Sequence, residues 1–170
     1  MRKLLILVSV CLWTLTVAGQ KMSYKNPSIA IEKRVDDLLK RMTIEEKIGQ
    51  LMQPVLEGDK QALLEQLRQG RVGSYCVTKY DFPSVSLRDE LQRAAIEESR
   101  LGIPVIFGFD VIHGFRTLFP IPLGLSASWE PELARQSAEI AAYEARVAGI
   151  DLTFSPMVDT SRDARWGRIS

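Results

Sequence analysis

The sequence predicts an α/β fold built on a parallel sheet that is incomplete within these 170 residues. Three observations lead there. Mostly apolar runs of strand length at 71–77, 104–109 and 151–158 alternate with stretches of helical periodicity, and strands alternating with helices imply parallel pairing. The run at 104–109 is continuously apolar and too short for a helix, as expected of a strand buried on both faces. No helical stretch follows the third run. Three strands do not close a barrel, and the last would keep an unpaired edge, so the sequence is expected to be the front of a longer domain.

Composition fits a globular chain and narrows its partners. Hydrophobic residues are 46% and charged residues 25% of the sequence, ordinary for a packed domain, and no repeat or low-complexity tract argues for disorder. With 22 Lys+Arg against 21 Asp+Glu the net charge is +1, which gives no electrostatic basis for binding nucleic acid. Two cysteines are too few for a disulfide-dense scaffold or a four-thiolate metal site.

Residues 1–19 read as a secretory signal peptide. Met1-Arg2-Lys3 is basic, residues 4–17 are largely apolar, and Ala18-Gly19 supplies the small residues of a cleavage site. The apolar run is short for a membrane span and lacks a stop-transfer flank. Val10 stands before Cys11, where a lipid anchor needs a small residue. Cleavage removes Cys11 and leaves Cys76, expected to be buried in the company of Val72, Tyr75 and Val77. The mature protein is then expected in the periplasm or outside the cell, with no membrane partner after cleavage. Residues 20–29 are polar and irregular, expected as an extended arm, and 30–170 form the domain.

Within that domain, Val35, Leu38, Leu39 and Met42 fall at i, i+3, i+4 and i+7 of a first helix. Thr43 followed by Glu46 is a capping box that restarts a helix, with Ile44, Ile48, Leu51 and Met52 as its apolar face and Pro54 as its stop. Residues 60–69 predict a short helix with Leu63, Leu64 and Leu67 inward and Gly70 in a left-handed cap. Residues 84–100 predict another, burying Leu87, Leu91, Ala94 and Ala95. Residues 110–128, rich in Gly, Pro and Ser, are expected as a loop. Pro131 suits the first turn of a helix running to about Ala148, with Ala134, Ala138, Ala141, Ala142 and Ala145 on a close-packing face and Gly149 as its cap.

Two of the predicted strands end in carboxylates, Asp110 and Asp159. Parallel α/β folds bind ligands beyond the carboxyl ends of their strands, and a carboxylate there accepts hydrogen bonds from hydroxyl groups, as a sugar site requires. Strand-end aspartates also cap the turn that follows, and Thr160-Ser161 gives Asp159 the polar turn for that role. The tail collects Arg162, Asp163, Arg165, Trp166 and Arg168. Its arginines can hold oxygens and its tryptophan can stack on a sugar face, or the same residues can form a solvated, salt-bridged loop. His113 is the only histidine, so no multi-histidine metal site exists; structural hydrogen bonding in its loop is the plainer role. HExxH, GxGxxG, Walker A and GxSxG patterns are all missing. No cofactor is implied.

Three ordered blocks resemble the N-terminal part of glycoside hydrolase family 3, in its bacterial periplasmic β-glucosidase branch. They are residues 42–51 (MTIEEKIGQL), residues 109–114 with 119–124 (FDVIHG, FPIPLG) and residues 154–159 with 162–168 (FSPMVD, RDARWGR). The resemblance spans about residues 30–170. It implies a (β/α)8 TIM-like barrel, incomplete in this chain, followed by an α/β sandwich domain, and a retaining mechanism on carbohydrate substrates. It implies that Asp110 binds glucose hydroxyls and that Arg168 contacts the same sugar. Gly167 and Trp166 would lie in the Arg168 loop, with His113, Asp159, Arg162 and Arg165 in support.

The family's Lys-His pair, nucleophile aspartate and acid/base glutamate match nothing here and are expected beyond Ser170, so neither Asp110 nor Asp159 is the nucleophile. The Asp-x-x-His-Gly form points to β-glucosidases over N-acetylglucosaminidases. Two other readings stay open: a stand-alone sugar-binding or decayed module, and the same family with β-xylosidase preference.

Overall fold

The computed structural model describes residues 22–78, 84–156, 162, 163 and 165–167. The expected leader at 1–19, with Cys11, and the expected site residues Asp159 and Arg168 lie outside the described residues. The chain divides into two units, 1–43 and 44–170.

In the first unit, Ser23–Lys25 makes one 3-10 turn within the stretch expected as an arm. Helix α1, Ile31–Arg41, follows where the periodicity places it. Tyr24 is buried. Its backbone N–H donates to Asp37 Oδ2 (3.1 Å) and its carbonyl accepts from Arg34 Nε (2.8 Å). Arg41, one turn on from Asp37, hydrogen-bonds its carboxyl and holds it below the usual carboxylate range. The expected apolar stripe is only partly covered: Met42 is buried, whereas Val35 and Leu39 stand in the open.

The second unit opens with α2, Ile44–Leu51. Its sequence promises an inward stripe of isoleucine and leucine, yet Ile44 is 71% and Leu51 85% exposed. The helix docks through Gly49 instead. A Cβ there would lie 2.1 Å from the Gly70 carbonyl oxygen, so only a residue without a side chain lets the two backbones approach this closely.

Three parallel strands form the sheet in the order β1-β2-β3: β1 Ser74–Val77, β2 Ile106–Phe109 and β3 Leu152–Thr153. Val77 pairs with Phe109, and Phe109 with Thr153. β3 is shorter than the run that predicted it. Along the other edge of β1, Val55 bridges to Cys76, with Cys76 N donating to Pro54 O and Leu56 N to Cys76 O, both at 2.8 Å. That pairing was not legible in a segment that reads as a helix stop. Cys76 is half-buried, not buried as expected.

Helices connect the strands. α3, Lys60–Arg68, buries Leu63, Leu64 and Leu67 as its spacing demands, and Gly70 closes it at φ +65°. Asp59 caps its start by accepting from Ala62 N. α4, Val85–Arg93, begins at a Ser84 cap and continues as a π-helical turn over Ala94–Glu98. Leu91, Ala94 and Ala95 are buried as expected, with Leu87 packed against them. Gln92 clasps the chain just ahead of β2, giving its Nε2 to Val105 O (2.6 Å) and accepting from Val105 N (3.2 Å).

A short helix α5, Pro122–Ser126, sits inside the segment expected as loop. α6, Pro131–Val147, starts with its proline in the first turn as predicted. Only part of its alanine face packs inward: Ala141 and Ala145 are buried, while Ala134, Ala138 and Ala142 are exposed.

The core runs through the sheet. Tyr75 and Phe107 are fully buried and stack at 6.2 Å between ring centroids. The Tyr75 hydroxyl donates to Gln66 Oε1 at 3.3 Å, and burial pushes its phenol up to about 12.

Candidate functional site

The two ends of the sheet carry aspartates in opposite circumstances. At the amino end, Asp151 is fully engaged. Its Oδ2 accepts from Phe107 N (3.2 Å), its own N–H donates to Phe107 O (2.8 Å), and Arg88 (3.2 Å) and Arg146 (2.8 Å) pair with Oδ1. This carboxylate ties β2 to β3 through bonds within the protein.

At the carboxyl end of β2, Asp110 is exposed and has no hydrogen-bond or ion-pair partner among the described residues. It does not cap the turn that follows it. The strand beneath is rigidly held: Phe107 and Phe109 are 0% and 3% exposed, so the carboxylate stands on a fixed base.

The loop after Asp110 folds into a closed hairpin. Phe119 N donates to His113 O (2.8 Å), His113 Nδ1 lies 3.2 Å from Phe119 O, and Gly114 bridges to Leu118. His113 thus has the structural hydrogen bond expected of a loop histidine. Phe115 anchors the hairpin edge-on against Phe109 at 5.5 Å.

Gly114 permits the turn: its φ is +120°, and a Cβ would sit 2.0 Å from Thr117 O. Gly114→Ala is expected to destabilise the native protein by at least the ~1–3 kcal/mol of such backbone strain. Denaturant unfolding measures this, and an unshifted midpoint would show that the turn is formed differently.

Two further groups hold this loop, and the sequence singled out neither. Ser155 Oγ donates to Val111 O and lies 2.8 Å from Thr153 Oγ1. Glu144, on α6, accepts from the N–H groups of Arg116 and Thr117 at 2.8 Å each and from the Thr117 hydroxyl at 2.6 Å. The Thr117 hydroxyl and amide hold the Glu144 carboxyl below its usual range. A carboxyl with a lowered folded pKa stabilises above its unfolded value, near 4.3 for Glu, and the contribution disappears as pH falls through the folded value. The Arg116 and Thr117 amides are therefore expected to lose hydrogen-exchange protection below about pH 4. Constant protection down to about pH 2 would contradict the assignment.

Behind the hairpin lies a cavity of about 660 Å³, within the range of small-molecule sites. His113, Phe119, Trp129, Ala138, Thr153 and Ser155 are among its lining residues. Asp110 is not among them, but its neighbour Val111 is. Trp129 is 90% exposed and adopts φ +56°, a left-handed conformation rare for a bulky side chain.

In the tail, Arg165 Nε lies 3.0 and 3.1 Å from the Asp163 carboxylate oxygens and its backbone N–H donates to Asp163 Oδ1 at 2.9 Å. Arg165 holds the Asp163 carboxyl below its ordinary value. This is the salt-bridged alternative weighed for the tail. Arg162 is exposed, and Trp166 is 39% exposed, its backbone N–H donating to the Asp163 carbonyl oxygen. None of these tail residues lines the cavity. Among the described residues no group of three or more His, Cys, Asp or Glu side chains is placed to hold a metal ion.

With this geometry in place, residues 43–170 match the family model of the glycosyl hydrolase family 3 N terminal domain. The periplasmic beta-glucosidase of Salmonella typhimurium is 44% identical over 140 residues, covering 80% of this chain and 18% of that protein. A putative beta-xylosidase of Formosa agariphila is 33% identical over 168 residues, covering 89% of this chain and 22% of that protein. The crystal structure of a beta-glucosidase from Listeria innocua in complex with glucose matches with a TM-score of 0.65 at 37% identity, covering 81% of this chain and 20% of that one. The chain spans about a fifth of the length of these relatives. Its fold is the TIM-barrel type of that family domain, and the three parallel strands are one arc of such a barrel.

Proposed function

This chain belongs to glycosyl hydrolase family 3, and from that premise we propose that it carries part of the sugar site of a secreted, retaining β-glucosidase. The observation behind the proposal is Asp110, a carboxylate without a protein partner among the described residues, at the carboxyl end of a buried parallel strand. That is the end at which barrels of this type bind ligands. Two carboxylate oxygens can accept from two sugar hydroxyls in charge-assisted hydrogen bonds. Arg168 is the second sugar ligand, with Gly167 and Trp166 in its loop. His113, Asp159, Arg162 and Arg165 support the site without touching the reacting atoms.

In this reading Asp110 does no bond chemistry. It fixes the terminal glucosyl unit so that its anomeric carbon faces a carboxylate nucleophile and a separate acid/base. Those two groups stand about 5–5.5 Å apart in a retaining site, and neither role is assigned to Asp110 or Asp159. The leader at 1–19 sends the protein to the periplasm or beyond. The names of the Salmonella and Listeria relatives, and the glucose in the Listeria structure, support this sugar class.

A second reading, β-xylosidase, is favoured by the name of the Formosa relative. The two readings separate by kcat/KM of the native protein on aryl β-glucoside and aryl β-xyloside. At least about a tenfold preference for glucoside is expected, the usual worth of one extra substrate group in a fitted pocket. The reverse order supports the xylosidase, and no turnover of either substrate rejects both. Saturable glucose binding without hydrolysis would favour the sugar-binding module.

A further inference from the structure

We propose that Glu144 is a positioning residue for the sugar site, acting through the hairpin that follows Asp110; this rests on the sugar-site reading above. The hairpin is closed on itself by the His113–Phe119 hydrogen bonds, so residues 113–119 move as one piece. Its base is fixed one residue after Asp110, where Ser155 holds the Val111 carbonyl. Phe115 packs its near side against Phe109, and at the tip Glu144 grips the backbone of Arg116 and Thr117.

The two consecutive amides of Arg116 and Thr117 both point at Glu144 Oε2, and the Thr117 hydroxyl takes Oε1. A carboxylate gripping adjacent backbone N–H groups makes short, directional, charge-assisted bonds. It fixes the rotation of the hairpin as well as its height above α6. Because His113, Gly114 and Phe119 form one wall of the cavity, the Glu144 grip sets that wall relative to Asp110. The carboxyl is held below its usual range by these same bonds, so the grip is charged at neutral pH. Nothing in the local sequence announces it, since the partners lie 27 and 28 residues away.

The test uses the native full-length protein, aryl β-glucoside as substrate and glucose as competitive inhibitor, well below the unfolding temperature. Glu144→Ala is expected to raise the glucose inhibition constant about tenfold, the scale on which small misplacements reduce binding and rate. Glu144→Gln is expected to stay within about threefold, since its amide oxygen can take both N–H groups and its NH2 can donate to Thr117 Oγ1. On an Asp110→Asn background, Glu144→Ala is expected to add little, because residues acting through one another are non-additive. If Glu144→Ala does not fold, Thr117→Val removes the hydroxyl bond alone, with a rise of about threefold expected.

A folded Glu144→Ala or Thr117→Val protein with lowered thermal stability and an unchanged inhibition constant overturns the proposal, because the staple would then be structural only. Full additivity with Asp110→Asn overturns it too. If Asp110→Asn itself leaves the constant unmoved, the sugar-site reading fails, which is a different result from failure of the Glu144 role.

Discussion

Asp110→Asn in the native protein is expected to lower kcat/KM for an aryl β-glucoside by about 10²–10⁴-fold. The substitution keeps shape and volume and removes charge. Hydrogen bonds to a charged group contribute about 1.5–3 kcal/mol each, so two bonds to adjacent hydroxyls give about 3–6 kcal/mol. Asparagine also turns one acceptor into a donor facing a hydroxyl. Asp110 has no hydrogen-bond or ion-pair partner among the described residues, so the variant is expected to unfold at the wild-type denaturant midpoint. Steady-state kinetics beside an unfolding curve test both halves. Unchanged catalytic efficiency would remove Asp110 from the site.

Phe107→Ala is expected to destabilise the native protein by about 3–5 kcal/mol, the range for truncating a buried aromatic. Phe107 is 0% exposed, stacks on Tyr75, and lies beneath the Arg88 guanidinium at 5.5 Å. It also sits in the middle strand, whose backbone pairs with β1 on one side and with Asp151 on the other. Loss of the ring also loosens the strand that carries Asp110 at its end, so activity is expected to fall along with stability. Chemical denaturation measures the effect, and a change under about 1 kcal/mol would mean that the core closes around the gap.

Particular residues show where sequence reasoning reached and where it stopped. The Leu63, Leu64 and Leu67 spacing, Pro131 in a first turn and the unbroken apolar run before Asp110 are local signals, and each sits in the element it predicted. Parallel pairing followed from the alternation of elements, and the structure has it.

Three features were illegible for physical reasons. The Ile44 and Leu51 stripe looks like a buried face, but α2 docks by its glycine backbone, which hydrophobic periodicity does not register. Pro122 reads as loop chemistry and in fact occupies the first turn of α5, a position where a missing N–H costs nothing. Glu144 and Ser155 read as ordinary surface polar residues, because their partners are loop backbone groups distant in sequence. The place of Asp110 at the end of a buried strand was legible. The groups that hold its loop were not.

The most direct test of the account is a crystal structure of the native full-length protein with glucose bound. The account predicts both Asp110 carboxylate oxygens within about 2.5–2.7 Å of sugar hydroxyls, the range of charge-assisted O–H···O⁻ bonds. Arg168 should lie on the same sugar, and the Glu144 grip on the Asp110 hairpin should be intact. Glucose bound with Asp110 turned away, or held at the opposite end of the sheet beside Asp151, would contradict it.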